Sequence, residues 1–172
     1  MKRKRQKFQR GFTYIEIIIY VAILTIMLTT LIPFAWNIIE GGAKSTTQQE
    51  VFANARFISE RIKYEIRNAT GINSVSSTAI SLTTATSATN PTVIDLSSGN
   101  VRITQGTGST VNLNSPDTTV SNFTFTNYTS SDNKTKHIQF TFTLNANYAG
   151  AGTRQEYNAS TTIEGSAEVR SN

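Results

Sequence analysis

The side chains that could support catalysis are few and widely spaced in this sequence. His137 is its one histidine, and Asp95, Asp117 and Asp132 each lie in or near a segment of turn-forming residues. General acid–base catalysis needs titratable groups at a defined separation, and no spacing here predicts such a pair. The chain also has no cysteine, which excludes a cysteine nucleophile, a thiolate metal site and a disulfide framework. We therefore expect no catalytic residue, and a protein that is not an enzyme.

Metal and phosphate binding find equally little support in the sequence. His137 has no companions at metal-ligand spacing, and no loop gathers enough carboxylates to favour calcium. The glycine-rich segment 106–108 predicts a flexible turn, because no GxxxxGKS/T motif follows it. N-x-S/T sequons occur, for example at Asn122, Asn127 and Asn133, but a chain so rich in Asn and Thr contains them by chance. The sequence thus predicts no metal and no cofactor, and gives little reason to expect a glycan.

The basic residues are concentrated at the N-terminus. Without the six that form this tag, ten basic residues face eleven acidic ones, so the formal charge of +5 becomes −1. Nucleic-acid binding needs a basic surface on the folded body, so the charge pattern argues against nucleic acid as a partner of anything but the tag. Positive charge beside an apolar segment instead predicts that this end stays in the cytoplasm. The basic tag consists of Lys2, Arg3, Lys4, Arg5, Lys7 and Arg10.

A long uncharged segment follows the basic tag. Residues 17–36 contain no charged side chain, and a helix of that length rises about 30 Å, the thickness of the hydrocarbon core of a bilayer. Trp36, near the far end, suits the membrane interface. The segment therefore predicts a single transmembrane helix, with the C-terminal domain outside the cytoplasm.

Two simpler interpretations of this segment stay open. A secretory signal has an apolar core of about 7–15 residues before a cleavage site of small residues, and Gly41, Gly42 and Ala43 supply a weak one. An uncleaved signal anchor is the other. Neither needs Glu16, since a carboxylate deep in a membrane helix costs about 2.5–3.5 kcal/mol. Neither needs Pro33, which removes a helical hydrogen bond.

A short motif stands between the basic tag and the apolar segment. The residues from Gly11 to Glu16 read GFTYIE. This motif, in this setting, resembles the class III signal of type IV prepilins. The resemblance implies that a prepilin peptidase cuts between Gly11 and Phe12 on the cytoplasmic side and methylates the new N-terminus at Phe12. Tyr14 stands where the family usually has leucine, whereas Glu16 and Pro33 match the glutamate and the helix proline of the family.

The same resemblance implies how the chain would assemble. In the family the counterpart of Glu16 pairs with the N-terminal amine of a neighbouring subunit, which here would be the amine of Phe12. An ion pair in hydrocarbon lowers the cost of both charges, and removal of one partner strands the other. The implied partners are other pilins or pseudopilins, the prepilin peptidase, membrane lipid, and an inner-membrane assembly platform with its ATPase. The chain would cross the inner membrane once before assembly and would then lie in the pilus or pseudopilus filament.

Residues 45–69 predict an amphipathic helical stretch. Charges are expected on its solvated face, with Arg56 and Glu60, and likewise Arg61 and Glu65, spaced as i,i+4 pairs. Apolar residues recur every three or four positions and form one stripe that should pack on the β domain. The stripe consists of Val51, Ala55, Ile58, Ile62, Ile66 and Ala69.

The boundaries of this stretch are marked by small and polar residues. Asn68 and Gly71 predict its end. Gly41 and Gly42 predict either a flexible joint before it or a local loosening of one long helix. Its NARF segment at 54–57 and the charged helix that follows resemble the minor pilins and pseudopilins that include PilW-like proteins and the J-type pseudopilin of type II secretion.

From residue 72 onward the apolar pattern changes to an alternation with period two, which is typical of strands. Polar turn clusters separate the short apolar runs, so we expect antiparallel hairpins. The strongest predicted strands are residues 120–128 and 137–144. Further strands are predicted at 80–82, 93–96, 101–103, 111–113 and 159–164, with a frayed tail after the last one.

Together these features predict an α+β fold in which a long N-terminal helix, transmembrane in its first half, packs on an antiparallel β domain. The expected function is that of a structural subunit, a minor pilin or pseudopilin of a type IV pilus or a type II secretion pseudopilus. Two alternatives stay open: a filament-tip binding module for adhesion or DNA uptake, and a signal-anchored extracytoplasmic protein unrelated to filaments. The predicted segments are a cleaved leader at 1–11, a transmembrane and filament-core helix at 12–39, an amphipathic helix at 40–70 and a β-rich domain at 71–172.

Overall fold

A single α-helix precedes two antiparallel sheets in the part of the chain that the structure describes. The computed structural model describes residues 11–132, 134–150, 152 and 154–170. Its helix, α1 (Tyr14–Asn68), is followed by eight strands. The predicted α+β class is therefore confirmed. The helix continues through Gly41 and Gly42, the point at which the chain divides into two compact units.

The part of α1 before Gly42 presents apolar side chains on every face. None of residues 14–41 is buried, and large side chains such as Ile15, Leu24 and Phe34 are 64%, 58% and 62% exposed. The most apolar window of α1 has a mean hydropathy of 2.5, and the helix is long and apolar enough to cross a membrane. A water-soluble domain rarely exposes a continuous apolar surface of this extent, whereas a membrane anchor needs one.

The part of α1 after Gly42 buries one face in the core of the β domain. The helix ends at Asn68, one residue before the end of the predicted stretch 45–69, and Ala69, the last member of the predicted stripe, is buried as the first residue of a strand. The apolar stripe itself is confirmed, because its helical members are at most 1% exposed and share one core with the strands. These members are Val51, Ala55, Ile58, Ile62 and Ile66.

The first sheet has the strand order β1-β2-β3-β4-β5, and each neighbouring pair is antiparallel. Its inner face contributes Ile80, Leu82, Ile94 and Val101 to the core, each at most 1% exposed. Short connections join consecutive strands, as the turn clusters predict. The strands are β1 (Ala69–Val75), β2 (Ala79–Thr84), β3 (Thr92–Ser97), β4 (Asn100–Gln105) and β5 (Val111–Asn112).

The second sheet pairs β6 (Thr118–Asn127) with β7 (His137–Ala146), and β7 with β8 (Ser160–Glu168), in antiparallel register. Its inner face carries a cluster of phenylalanine rings. Phe140 lies opposite Gly165 in the register, and its ring covers the glycine so closely that a Cβ there would lie 2.4 Å from Cζ. A ring that packs over a glycine in the adjacent strand stabilises both strands of the pair.

The outer face of the second sheet is rich in hydroxyl and amide groups. The Thr143 and Thr162 hydroxyls form a hydrogen bond of 2.9 Å across the β7–β8 pair. Asn145 Nδ2 donates to the Ser121 hydroxyl at 3.0 Å across the β6–β7 pair. The period-two alternation thus separates an aromatic inner face from a polar outer face, which also carries the exposed carboxylates of Glu164 and Glu168.

Glu65 does not lie on the solvated face of the helix. Arg61 Nη2 is 2.7 Å from the Glu65 carboxylate, so the predicted ion pair forms, but Glu65 is only 4% exposed. Gln105 Nε2, at the end of β4, also donates to the two carboxylate oxygens at 3.3 and 3.4 Å. The predicted placement of Glu65 on the solvated face is wrong, because these donors form hydrogen bonds with its carboxylate inside the protein and so offset the cost of burying it.

The other predicted helix pair is replaced by a different one. Glu60 Oε1 lies 3.1 Å from Nζ of Lys63, at i,i+3 spacing. Within the described residues Glu60 forms no ion pair with Arg56. Both spacings bring side chains together on a helix surface, so the sequence alone could not decide between the two partners.

The strand at the C-terminal end is longer than predicted. β8 continues to Glu168 instead of ending at residue 164, and Val169 is only 3% exposed. The Val169 N–H donates to the Lys136 carbonyl at 2.9 Å and extends the pairing with the β7 side of the hairpin. The prediction of a frayed tail after residue 164 is therefore wrong, because burial of an apolar side chain holds these residues against the core.

The apolar pattern of the sequence predicts no separate strand at the position of β1. The pairing of β1 with β2 is irregular, with register shifts between Ala69 and Gly71 and between Ile72 and Ser74. Each shift interrupts the alternation of inward and outward side chains, which is the signal used to recognise a strand.

Candidate functional site

The predicted processing site lies just outside α1. Gly11 and Phe12 are exposed and precede the helix, which begins at Tyr14. A Cβ on Gly11 would meet no atom within 4 Å, so no contact in the structure requires glycine at this position. The basic tag at 1–10 lies outside the described residues. Gly11 and Phe12 are therefore both exposed, and no contact among the described residues accounts for the glycine.

Thr13 caps the first turn of the helix. Its carbonyl accepts hydrogen bonds from the N–H groups of Glu16 and Ile17 at 3.1 and 3.3 Å, and its hydroxyl accepts from the Glu16 N–H at 3.4 Å. Thr13 and Glu16 have the T-x-x-E spacing of a capping box, a signal that sequence reasoning missed. Glu16 thus lies in the first helical turn.

The position of Glu16 has an electrostatic consequence. The helix macrodipole favours a negative charge in the first turn and disfavours a positive one. The predicted cut would leave an ammonium group on Phe12 at this same end of the helix, where it would need a carboxylate to offset it. Among the described residues, no basic side chain lies within ion-pair distance of the Glu16 carboxylate. Glu16 is therefore placed to pair with such an amine, in its own chain or in another.

Pro33 lies inside α1 and cannot donate a hydrogen bond to the Thr29 carbonyl. The polar side chains around it are satisfied within the helix. The Thr29 hydroxyl donates to the Thr25 carbonyl at 2.9 Å, and the Thr30 hydroxyl donates to the Met27 carbonyl at 2.9 Å. These threonines can therefore face an apolar environment without leaving a donor unpaired.

A second group of polar side chains joins the loop after β7 to α1. Tyr148 donates from its hydroxyl to Glu50 Oε2 at 2.5 Å, and this hydrogen bond, with burial, raises the pKa of Tyr148. Arg154 stacks over the Tyr157 ring at 5.2 Å and pairs with Glu156 at 2.5 Å. Tyr148, Arg154 and Tyr157 line a cavity of about 360 Å³. The tyrosine–glutamate contact fastens the loop to the helix, a link between distant residues that no sequence signal predicted.

The residues considered for catalysis have structural partners or lie at element ends. His137 begins β7, as predicted. Asp95 pairs with Arg102 across β3 and β4 at 2.5 Å, and this hydrogen bond raises the pKa of the arginine. Asp132 accepts from the Ser130 hydroxyl, which lowers the pKa of the carboxyl group. Within the described residues, no group of three or more potential metal ligands comes together.

Comparisons with known proteins found no match from which a function could be inferred. No protein-family model, no curated protein and no solved structure matches this chain. The likeness to prepilins therefore depends on the motif from Gly11 to Glu16 and on the apolar helix that follows it.

Proposed function

We propose that this chain is a structural subunit of a type IV pilin-like filament, a minor pilin or pseudopilin of a type IV pilus or a type II secretion pseudopilus. One observation carries the proposal. The accessible Gly11–Phe12 bond stands directly before a helix that has Glu16 in its first turn and apolar side chains on all faces up to residue 41. An ordinary membrane anchor needs the apolar faces but neither of the other two features.

Maturation would begin at the exposed end of the helix. A prepilin peptidase would cut between Gly11 and Phe12, remove the basic tag and methylate the amine of Phe12. Removal of the tag takes away six positive charges that hold this end in the cytoplasm, so the helix becomes free to leave the membrane. The new amine would lie one helical turn from Glu16. Both the positive end of the helix macrodipole and the positive charge of the amine would then stabilise the Glu16 carboxylate.

Assembly would use the apolar surface of the part of α1 before Gly42. The apolar side chains before Gly42 would move from lipid to the helices of neighbouring subunits, a transfer that changes their hydrophobic free energy little. Glu16 of the incoming subunit would pair with the methylated amine of a subunit already in the filament and would set the register between them. An assembly ATPase on the inner-membrane platform would supply the work of extraction.

The decisive experiment follows processing and incorporation of the full chain in cells that express a pilus or pseudopilus system. We expect mass spectrometry of the mature protein to show an N-methylated Phe12. Gly11→Val should block the cut, since a branched side chain obstructs close approach of the peptidase to the backbone. Glu16→Gln should leave the protein processed and in the membrane but lower its amount in sheared filaments at least tenfold.

Glu40→Gln is the matched control for Glu16→Gln, because Glu40 is an exposed glutamate near the other end of the apolar segment. It should incorporate like the unaltered protein. A mature N-terminus near residue 43 would support an ordinary cleaved signal instead. A fully functional protein that retains its basic tag would support a plain signal anchor, and either result would overturn the filament proposal.

A further inference from the structure

Asn127, the last residue of β6, begins a turn in which its own side-chain oxygen accepts the hydrogen bonds. The N–H of Thr129 donates to Oδ1 of Asn127 at 2.9 Å, and the Thr129 hydroxyl donates to the same oxygen at 2.5 Å. Asn127 is exposed, and Tyr128 between them is 58% exposed. These three residues form an N-x-S/T sequon. The turn therefore presents the Asn127 carboxamide at the surface with its oxygen held by the third residue of the sequon.

This geometry favours reaction at the carboxamide nitrogen. As Nδ2 loses a proton, negative charge builds up on the amide, and two donors aimed at Oδ1 stabilise that charge without having to reorganise. The hydroxyl of Thr129 supplies one of these donors, which gives the third position of the sequon a direct role. Neither of these bonds involves Nδ2, so it is available to an incoming electrophile.

We propose that Asn127 is an acceptor for an N-linked glycan, transferred by an oligosaccharyltransferase from a lipid-diphosphate-linked saccharide. A bond forms between Nδ2 and the anomeric carbon of the first sugar. The bond from that carbon to the phosphate oxygen breaks, its electron pair leaves with the lipid diphosphate, and a base of the transferase takes one Nδ2 proton. No group is oxidised or reduced. The product is a bulky, soluble group on the surface of the β domain.

The other described sequons differ from this one in specific ways. In the sequon of Asn68 the third residue, Thr70, donates its hydroxyl to the Thr83 carbonyl, and Ala69 is 2% exposed. In the sequon of Asn158 the third residue is a serine whose hydroxyl donates to Asn145. In both, the hydroxyl that should assist the asparagine is bonded elsewhere.

The sequon of Asn122 is held inside a strand. Asn122 lies at the bulge of β6 with φ of 52°, and the next residue, Phe123, is 2% exposed in the core. A transferase would have to pull Phe123 from the core to bind this segment. The sequon of Asn133 lies outside the described residues. Among the described sequons, Asn127 alone combines an exposed middle residue with the hydroxyl bonded to its own carboxamide.

The inference rests on one part of the proposed function, the placement of the β domain outside the cytoplasm, where the glycan donor would be met. Its test does not need a filament. The full chain, folded in detergent, is incubated with a transferase that accepts the three-residue sequon and with its lipid-diphosphate-linked saccharide, and peptide mapping by mass spectrometry gives the occupancy of each asparagine. We expect occupancy of Asn127 to exceed that of Asn68, Asn122 and Asn158 at least tenfold.

The variants Thr129→Val and Thr129→Ser form a matched pair. The valine keeps the size of the side chain and lacks the hydroxyl, so transfer to Asn127 should fall at least a hundredfold, whereas the serine should retain it. Synthetic peptides spanning each sequon serve as the control for the transferase itself. Transfer to the Asn127 peptide but not to the folded chain would overturn the inference, as would equal occupancy of the four sequons. Either failure leaves the processing and incorporation results, and hence the filament proposal, untouched.

Discussion

The hydroxyl of Tyr148 donates a 2.5 Å hydrogen bond to the carboxylate of Glu50, although 98 residues separate them in the sequence. Glu50 belongs to the helix and Tyr148 to the loop that follows β7, so the bond joins an early segment of the domain to a late one. Both side chains are partly shielded from water, which strengthens a charge-assisted hydrogen bond.

Loss of this bond should destabilise the domain in a pH-dependent way. We expect Tyr148→Phe to lower the free energy of unfolding by about 1 kcal/mol at pH 8. The folded protein raises the pKa of Tyr148, so the stabilisation is complete below the unfolded value of about 10 and is lost as the pH rises through the folded value. Urea unfolding of the full chain in detergent, followed by near-ultraviolet circular dichroism at pH 8 and pH 11, measures both effects.

The Glu50→Gln variant separates the hydrogen bond from the charge. It keeps an acceptor for the tyrosine hydroxyl but removes the negative charge that opposes ionisation, so the loss of stability should begin closer to pH 10. If Tyr148→Phe and the unaltered protein lose stability equally between pH 8 and pH 11, the tyrosine does not contribute as described.

Gly165→Ala should disturb the pairing of β7 with β8. The added methyl group would lie 2.4 Å from Cζ of the Phe140 ring, so the ring or the strand must move. Overpacking of this kind costs about 1–3 kcal/mol, and thermal unfolding of the full chain would show it as a lowered Tm. Gly71→Ala is the control, because its methyl group would meet Thr83 at an ordinary 3.6 Å. An equal Tm for the two variants would contradict the predicted clash.

Arg61→Met should be more harmful than Arg56→Met. Both arginines lie on the same helix, but Arg61 is the ion-pair partner of the buried Glu65, whereas Arg56 is exposed. Removal of Arg61 leaves the carboxylate with Gln105 as its donor, and we expect a loss of about 2 kcal/mol, less than for a fully buried pair because 36% of the arginine side chain meets solvent. The change at Arg56 should stay below about 0.5 kcal/mol. Chemical denaturation of both variants gives the comparison.

Replacement of Gly41 and Gly42 by alanine should stiffen the middle of α1. Cβ atoms at these positions would meet no atom within 4 Å, and each alanine favours a helix by about 0.8–1 kcal/mol over glycine. Hydrogen exchange of the backbone amides at residues 38–46 should therefore slow about tenfold or more in the double variant. Unchanged exchange would mean that the two glycines do not weaken the helix.

The parts of the fold that the sequence predicted are those governed by local periodicity. The apolar stripe from Val51 to Ile66 repeats every three or four residues, and only a helix brings such residues to one face. Strand β7 alternates with period two throughout and β6 does so on either side of its bulge, and the polar loop between them predicts a hairpin. The bulges of β1 break this period, so the same reasoning could not find it.

Contacts between distant segments could not be predicted from the sequence, for a different reason. Glu65 fits a solvated helix face by spacing, and its burial depends on Gln105, which is forty residues further along the chain. The candidate processing site, by contrast, is local: Gly11, Phe12 and Glu16 fall within one turn of the helix start. What sequence reasoning missed there was the cap formed by Thr13, although its T-x-x-E spacing was visible.

The hydroxyl and amide groups on the outer face of the second sheet affect how this domain would respond to its surroundings. Interactions between charged surfaces weaken as ionic strength rises, because counterions shorten the screening length to about 8 Å at 0.15 M. Hydroxyl and amide groups such as those of Thr143, Thr162 and Asn145 act only at contact distance and are almost untouched by screening. A subunit that meets its neighbours through these groups, and not through the exposed Glu164 and Glu168 on the same face, would bind them with little dependence on ionic strength.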